Sequence, residues 1–278
     1  MKTVISIPEL RAARAELPGP VGIVPTMGYL HEGHLSLARR AREECASVVT
    51  TIFVNPTQFA PEEDLDAYPR DLERDLGLLD EVGVDLVWMP TPEVIYPENF
   101  QTWVVVEDLT QVLEGASRPT HFRGVTTVVA KLFNVVQPQK AYFGQKDAQQ
   151  AVVIQRMVKD LNFPVEIVVC SIVREPDGLA MSSRNAYLDP AQRQAATVLS
   201  RSLNAAKDAF QAGERGADQL RAIVMDIVNA EPLVALEYIS CAHPETLLEL
   251  DGSIERALLS MAVRVGKTRL IDNLVVGG

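Results

Sequence analysis

The chain predicts an α/β fold: a parallel-sheet domain over residues 1–172, followed by a smaller α+β domain over 173–278. Three observations carry this. Short apolar, β-branched runs alternate with helical patterns through the first part. Residue types suited to ligand contact fall just after those runs, where the strands of a parallel sheet end. After Val173 the alternation gives way to long helical patterns and two late strands.

In chain order, Val21–Val24 reads as a short buried strand, and a Pro-Thr-Met-Gly turn then leads to a helix over about His34–Ala46. Val48–Val54 is a second strand. Leu72–Glu81 is a helix stopped by Gly83, and Asp85–Met89 is a third strand. Thr102–Val106 is β-branched and predicts a strand. Val125–Val136 is a helix ending before Pro138, Ala141–Phe143 a strand, Ala148–Leu161 a helix and Val165–Ile172 a continuous apolar strand. Strand, helix, strand at this spacing means right-handed crossovers and a parallel sheet. A loop from Arg174 to Asp189 joins the two domains as a candidate hinge or lid. Pro190 then opens a helix expected to run to about Gln211, and Asp218–Ala230 is a further helix. Leu236–Ser240 and Leu258–Val265 read as strands.

Composition narrows the function. The 278 residues are 47% hydrophobic and 23% charged, the balance of an ordinary globular protein, so global disorder is not expected. The net charge of −11, without a dense Lys/Arg run, argues against a nucleic-acid partner but not against a nucleotide, which a few cations and backbone amides can hold. Cys45, Cys170 and Cys241 are an odd, widely spaced set, read as inert thiols of a reducing cytoplasm. No signal peptide is expected, and no apolar run approaches the ~20 residues a membrane helix needs.

Two of the four histidines lie in Pro25-Thr26-Met27-Gly28-Tyr29-Leu30-His31-Glu32-Gly33-His34. Three residues apart at a helix start, His31 and His34 share a face, and Gly33 allows close backbone approach. The helix N-terminus adds orphan amides and positive dipole, a setting suited to a polyphosphate whose charge builds during reaction. A metal pair or a polar helix cap are the alternatives; a third ligand at metal-site spacing is not evident.

Other loops add to this. Asn55 and Gln58 end the second strand with amides able to hold a carboxylate or hydroxyl; an Asn-Pro turn with a solvent-facing Gln is the plainer reading. Gly144-Gln145-Lys146-Asp147 follows a strand and opens a helix, with Gln150 one turn on. Lys146 offers a point charge for phosphate. Met181-Ser182-Ser183-Arg184 places two hydroxyls beside a guanidinium. Arg118 and Arg123 are anion-contact candidates or surface charges, and His121 a cap or interface residue.

On these residues the chain resembles a known family. His31-Glu32-Gly33-His34 is similar to the HIGH signature of the nucleotidyltransferase superfamily, which implies a Rossmann-like sheet domain. The string from Val24 to His34, the Gly144–Asp147 segment, the Met181–Asn185 loop (a KMSKS-like element without its lysines) and the terminal Arg269-Leu270-Ile271-Asp272-Asn273 together resemble the pantoate–β-alanine ligases. Gln145 departs from the glutamate common there. The resemblance implies ATP-dependent condensation of pantoate with β-alanine through pantoyl adenylate, with magnesium on the ATP phosphates, no protein metal site, and a homodimer. It implies His31, His34 and Lys146 as catalytic residues. For ATP it implies Met27, Gly28, His31, Gly33, His34, Gly144, Gln145, Lys146, Asp147, Val173, Met181, Ser182, Ser183 and Arg184. Asn55, Gln58 and Gln150 would meet pantoate or β-alanine. The rival readings are another member of the superfamily and a non-catalytic nucleotide binder.

Overall fold

A computed structural model describes residues 1–61 and 63–277. It divides into two compact units, the first comprising Met1–Gly144 with Gln149–Ser171, the second Gln145–Ala148 with Ile172–Gly278.

The first unit is built on six parallel strands: β1 (Lys2–Val4), β2 (Val21–Thr26), β3 (Ser47–Ile52), β4 (Leu86–Trp88), β5 (Lys140–Gly144) and β6 (Glu166–Cys170), in the order β1-β4-β3-β2-β5-β6. Its helices are α1 (Ile7–Ala15), α2 (Glu32–Glu44), α3 (Leu72–Val82), α4 (Pro92–Ile95), α5 (Glu114–Ser117), α6 (His121–Val136) and α7 (Ala148–Asp160). The central strands are buried on both faces, as a parallel sheet requires. One core joins Val21, Ile23, Val49 and Trp88 to α1, α6 and α7, and the other joins Val24, Val48, Val87 and Tyr142 to α2 and α3. The strand order reverses between β2 and β5. Their pairing stops at Ile23 and Ala141, although β2 runs on to Thr26 and β5 to Gly144, so the two strands part at their carboxyl ends. A switch point of this kind is where parallel sheets hold ligands.

The second unit packs α8 (Pro190–Ala195), α9 (Val198–Gln211) and α10 (Ala217–Asn229) on an antiparallel sheet β7-β8-β9 (Val234–Ala242, Ala257–Val265, Thr268–Val276). Among the described residues no helix is long and apolar enough to cross a membrane.

The expected elements are largely present, with two corrections. Thr102–Val106 forms no strand. Val104 donates its N–H to Thr127 Oγ1 and accepts from Thr126 Oγ1, so helix hydroxyls take the bonds a neighbouring strand would have supplied. The helix opened by Pro190 is broken after Ala195. Thr197 Oγ1 bonds Gln194 O at 2.7 Å, competing with the backbone ladder and tightening it into a turn. Several elements go beyond the sequence reading. Strand β1 lies at the sheet edge against β4. Helix α1 has a full capping box between Ser6 and Glu9. Strand β9 follows a tight turn through Gly266, whose φ is +60°.

Candidate active site

Helix α2 starts directly beyond β2, and its first turn is organised by the two histidines. His31 is the N-cap, its Nδ1 accepting the Gly33 N–H at 3.2 Å, while the Nδ1 of His34 accepts the His31 N–H at 3.4 Å. An imidazole nitrogen that accepts carries no proton, so these two contacts assign the ring proton to Nε2 in both histidines. The rings stand 4.1 Å apart at a helix N-terminus whose amides and dipole favour an anion.

The approach to this turn is conformationally demanding. Gly28 has φ +83° and Tyr29, a non-glycine, φ +50°. Asp75 of α3 holds that geometry: its carboxylate is almost fully buried and accepts the Tyr29 and Leu30 N–H groups, each at 2.7 Å. Burial pushes the Asp75 carboxyl above its ordinary value, against the downward pull of the two amides. Arg74 donates to Leu30 O at 2.9 Å and lies over the Tyr29 ring. The sequence reading missed both residues. One signal was legible: Asp75 lies one turn before the buried Leu79, an acidic residue on the apolar face of a helix.

The end of β3 supplies a second cluster. Gln58 donates from Nε2 to the Met27 sulfur at 3.1 Å, bringing together two residues expected to meet different substrates. Asn55 is buried and its amide is fully used. Oδ1 accepts from Tyr96 OH and Thr57 Oγ1, and Nδ2 donates to Gln58 Oε1 and Gly124 O. Asn55 thus aims Gln58. The turn is held from behind by α6 and the residues before it. His121 Nδ1 lies 2.9 Å from Gln58 O, and its Nε2 3.3 Å from Arg118, which can only donate, so Nδ1 carries the proton and donates to the carbonyl. Burial, helped by the Arg118 charge, lowers the His121 pKa to about 4 and keeps the ring neutral. Arg118 also donates to Gln58 O and pairs bidentately with Glu63 at 2.5 and 2.6 Å, so it serves the turn, while Arg123 stacks on Trp103. Gly144 ends β5 and Gln150 is half-buried in the first turn of α7.

The second unit carries the remaining residues in two segments. In the Gln145–Asp147 turn, Lys146 Nζ lies 3.5 Å from Asp147. Val173 and Met181 are joined by a backbone bond of 3.0 Å, because Arg174–Ala180 folds back on itself as a bridged turn with Gly178 at φ +92°. Ser182 caps the short turn Ser183–Tyr187 by accepting from Arg184 N, and Ser183 is buried. The segment expected as a hinge or lid is tied within its own unit: Arg193 pairs with Glu175 and Asp177, and Arg174 pairs with Asp272.

Paired histidines at a helix N-terminus, beyond the carboxyl end of a strand in a parallel sheet, are an arrangement suited to a nucleotide on an α/β fold. The particular family follows from comparison. The family model for pantoate-beta-alanine ligase matches residues 2–275, and the chain belongs to that family. It is 60% identical over 276 residues, 99% of each chain, to a pantothenate synthetase of Roseiflexus castenholzii. Its fold is similar to the crystal structure of pantothenate synthetase from Thermus thermophilus, with TM-score 0.94, 52% identity and 99% of each chain covered. It is similar also to the Francisella tularensis pantoate-beta-alanine ligase complexed with beta-gamma ATP and beta-alanine, with TM-score 0.82 and 34% identity over 99% of this chain and 97% of that one.

Proposed function

We propose that this enzyme condenses pantoate with β-alanine at the expense of ATP, in two steps. A pantoate carboxylate oxygen attacks the α-phosphorus of ATP, and pyrophosphate leaves. The β-alanine amine then attacks the acyl carbon of pantoyl adenylate, AMP leaves and the amine loses a proton. The observation that carries this is the histidine pair at the start of α2, with Nδ1 accepting from backbone in both rings. Donors held on the protein before reaction strengthen as charge develops on phosphoryl oxygens, and need no reorganisation to do so. Family membership supplies the substrate class.

His31 and His34 are assigned to the ATP phosphates, with Met27, Gly28 and Gly33 as the surface the nucleotide approaches. Gln58 and Gln150 are assigned to pantoate, with Asn55 orienting Gln58. Gly144 and the second unit's Gln145, Lys146, Asp147, Val173, Met181, Ser182, Ser183 and Arg184 complete the ATP assignment, Lys146 and Arg184 supplying cationic charge. The chemistry on the protein side is positioning and charge stabilisation. Magnesium would arrive with ATP, whose phosphate charge it neutralises. Among the described residues no three His, Cys, Asp or Glu side chains gather as a metal cage. A homodimer in a reducing cytoplasm, where Cys45, Cys170 and Cys241 stay free thiols, completes the proposal. The deciding experiment is AMP release from ATP. It should require both pantoate and β-alanine, and AMP release independent of either one would overturn the reading.

A further inference from the structure

The terminal strand carries two adjacent, almost fully buried polar residues that the reaction itself does not call on, Asp272 and Asn273. Both side chains are spent on segments assigned above to ATP. Asn273 Nδ2 donates to the backbone oxygens of Gln145 and Lys146 at 3.0 and 2.8 Å, and its Oδ1 accepts from Gln145 Nε2 at 3.1 Å. Three bonds from one side chain thereby fix the turn from which Lys146 extends. Asp272 binds Arg174 through both oxygens, at 2.7 and 2.9 Å, and Arg174 in turn donates to Gly178 O at 3.0 Å. That pair clamps the bridged turn whose two arms are Val173 and Met181, immediately before Ser182–Arg184. Asp272 Oδ1 also accepts the Asn273 N–H at 2.8 Å, so the two residues hold each other's orientation.

The consequence is mechanical. Lys146 and Arg184 lie far apart in sequence, and each belongs to a segment short of regular structure of its own. Both segments are referred to one rigid element, β9, at two consecutive residues. β9 pairs with β8 without interruption from Ala257↔Val276 to Val265↔Thr268, which makes it a firm base. Asn273 is set in one orientation, because an amide turned the other way would aim an oxygen at two carbonyls.

We propose that Asp272 and Asn273 are positioning residues for the phosphate contacts of the second unit, together fixing the Lys146 turn and the Met181–Arg184 segment. This rests on the assignment of Lys146 and Arg184 to ATP. The test uses the full-length enzyme and a double-mutant cycle, with steady-state kinetics in ATP and pantoate and thermal melting of each variant. Asn273→Ala should raise the ATP KM by about tenfold or more, leave the pantoate KM within about twofold, and slow ATP–pyrophosphate exchange in parallel. In the Lys146→Ala background, adding Asn273→Ala should change ATP kinetics little further, because Asn273 acts through the lysine. Asp272→Asn should behave likewise toward Arg184→Ala. If Asn273→Ala melts below assay temperature, Asn273→Ser, which keeps one hydroxyl donor, carries the same cycle. Full additivity with Lys146→Ala, or equal rises in both KM values, overturns the proposal. An unchanged ATP KM in Lys146→Ala itself would instead remove the assignment beneath it.

Discussion

Gln58 donates its side-chain N–H to the sulfur of Met27 at 3.1 Å, linking the ends of two neighbouring parallel strands. The same Gln58 receives the Asn55 amide on its Oε1, so both ends of its side chain are set by the protein. A glutamine held this way offers a fixed hydrogen-bonding edge at low entropic cost to a hydroxy acid. Gln58→Ala should therefore raise the pantoate KM by roughly 10-fold or more, the worth of about 1.5–3 kcal/mol for a bond to a charged group. The ATP KM should stay close to wild type. A larger effect on ATP than on pantoate would place Gln58 against the nucleotide.

His34 serves its own helix through Nδ1, and the proposed assignment gives its Nε2 to the ATP phosphates. His34→Ala should keep the fold while raising the barrier to adenylate formation by about 3–4 kcal/mol, as for loss of a preorganised donor to developing charge. ATP–pyrophosphate exchange dependent on pantoate measures this step alone. Near-normal exchange in a well-folded variant would end the assignment.

Asp75 separates positioning from chemistry. In Asp75→Asn, one arm of the group would present N–H to a backbone N–H, at Tyr29 or Leu30. A stability loss of about 1–3 kcal/mol is expected, read in urea unfolding, together with slower exchange at saturating ATP. Stability falling without any change in exchange rate would mean that the loop reaches its geometry without the carboxylate.

At Gly124 the helix backbone closes on the turn it supports. An added Cβ would stand 2.5 Å from Thr57 O and 2.8 Å from Gln58 N. With backbone on both sides, relief requires shifting one element. Gly124→Ala should cost about 1–3 kcal/mol in stability and raise the pantoate KM more than the ATP KM. Kinetics and melting indistinguishable from wild type would show that the turn yields freely.

His121 makes stability depend on pH in a defined direction. Its pKa in the folded protein is lowered to about 4 from the ordinary 6.5, by burial first and by the Arg118 charge second. Between those values the unfolded chain binds the proton and the folded one does not. The contribution is therefore fully present above pH 6.5 and is lost as pH falls toward 4. The loss approaches about 3 kcal/mol at the lower end of that window. Urea unfolding of wild type and His121→Asn at about pH 7 and at about pH 4.5 isolates it. The variant lacks this titration, so the gap between the two proteins should shrink at the lower pH; a gap that widens refutes the account.

Much of this was legible in the residues themselves. Apolar runs with β-branched residues determined five of the six parallel strands; four of these are largely buried, which leaves little latitude in composition, and β6 is a half-exposed edge strand. The His31–His34 pair was legible because helical spacing alone puts two side chains on one face. Gln58 and Lys146 were marked by lying where strands end. The strand predicted at Thr102–Val106 failed because β propensity cannot supply a partner, and hydroxyls of α6 took its bonds. What only the tertiary structure decided is which residue serves which. Asp75 stood out only as an acidic residue on an apolar helix face, and its partners, the Tyr29 and Leu30 amides, came from the packing of α3 against the turn before His31. Asn55 was read as a ligand contact, and only the fold shows that Tyr96, Thr57 and Gly124 also bond its amide. Asp272 and Asn273 were a terminal motif without a task until β9 brought them against Arg174 and the Lys146 turn, distant segments of the chain. Local sequence encodes periodicity, caps and turns because these depend on neighbours along the chain. Hydrogen bonds between distant segments depend on the packing of whole elements, and no stretch of sequence contains that packing by itself.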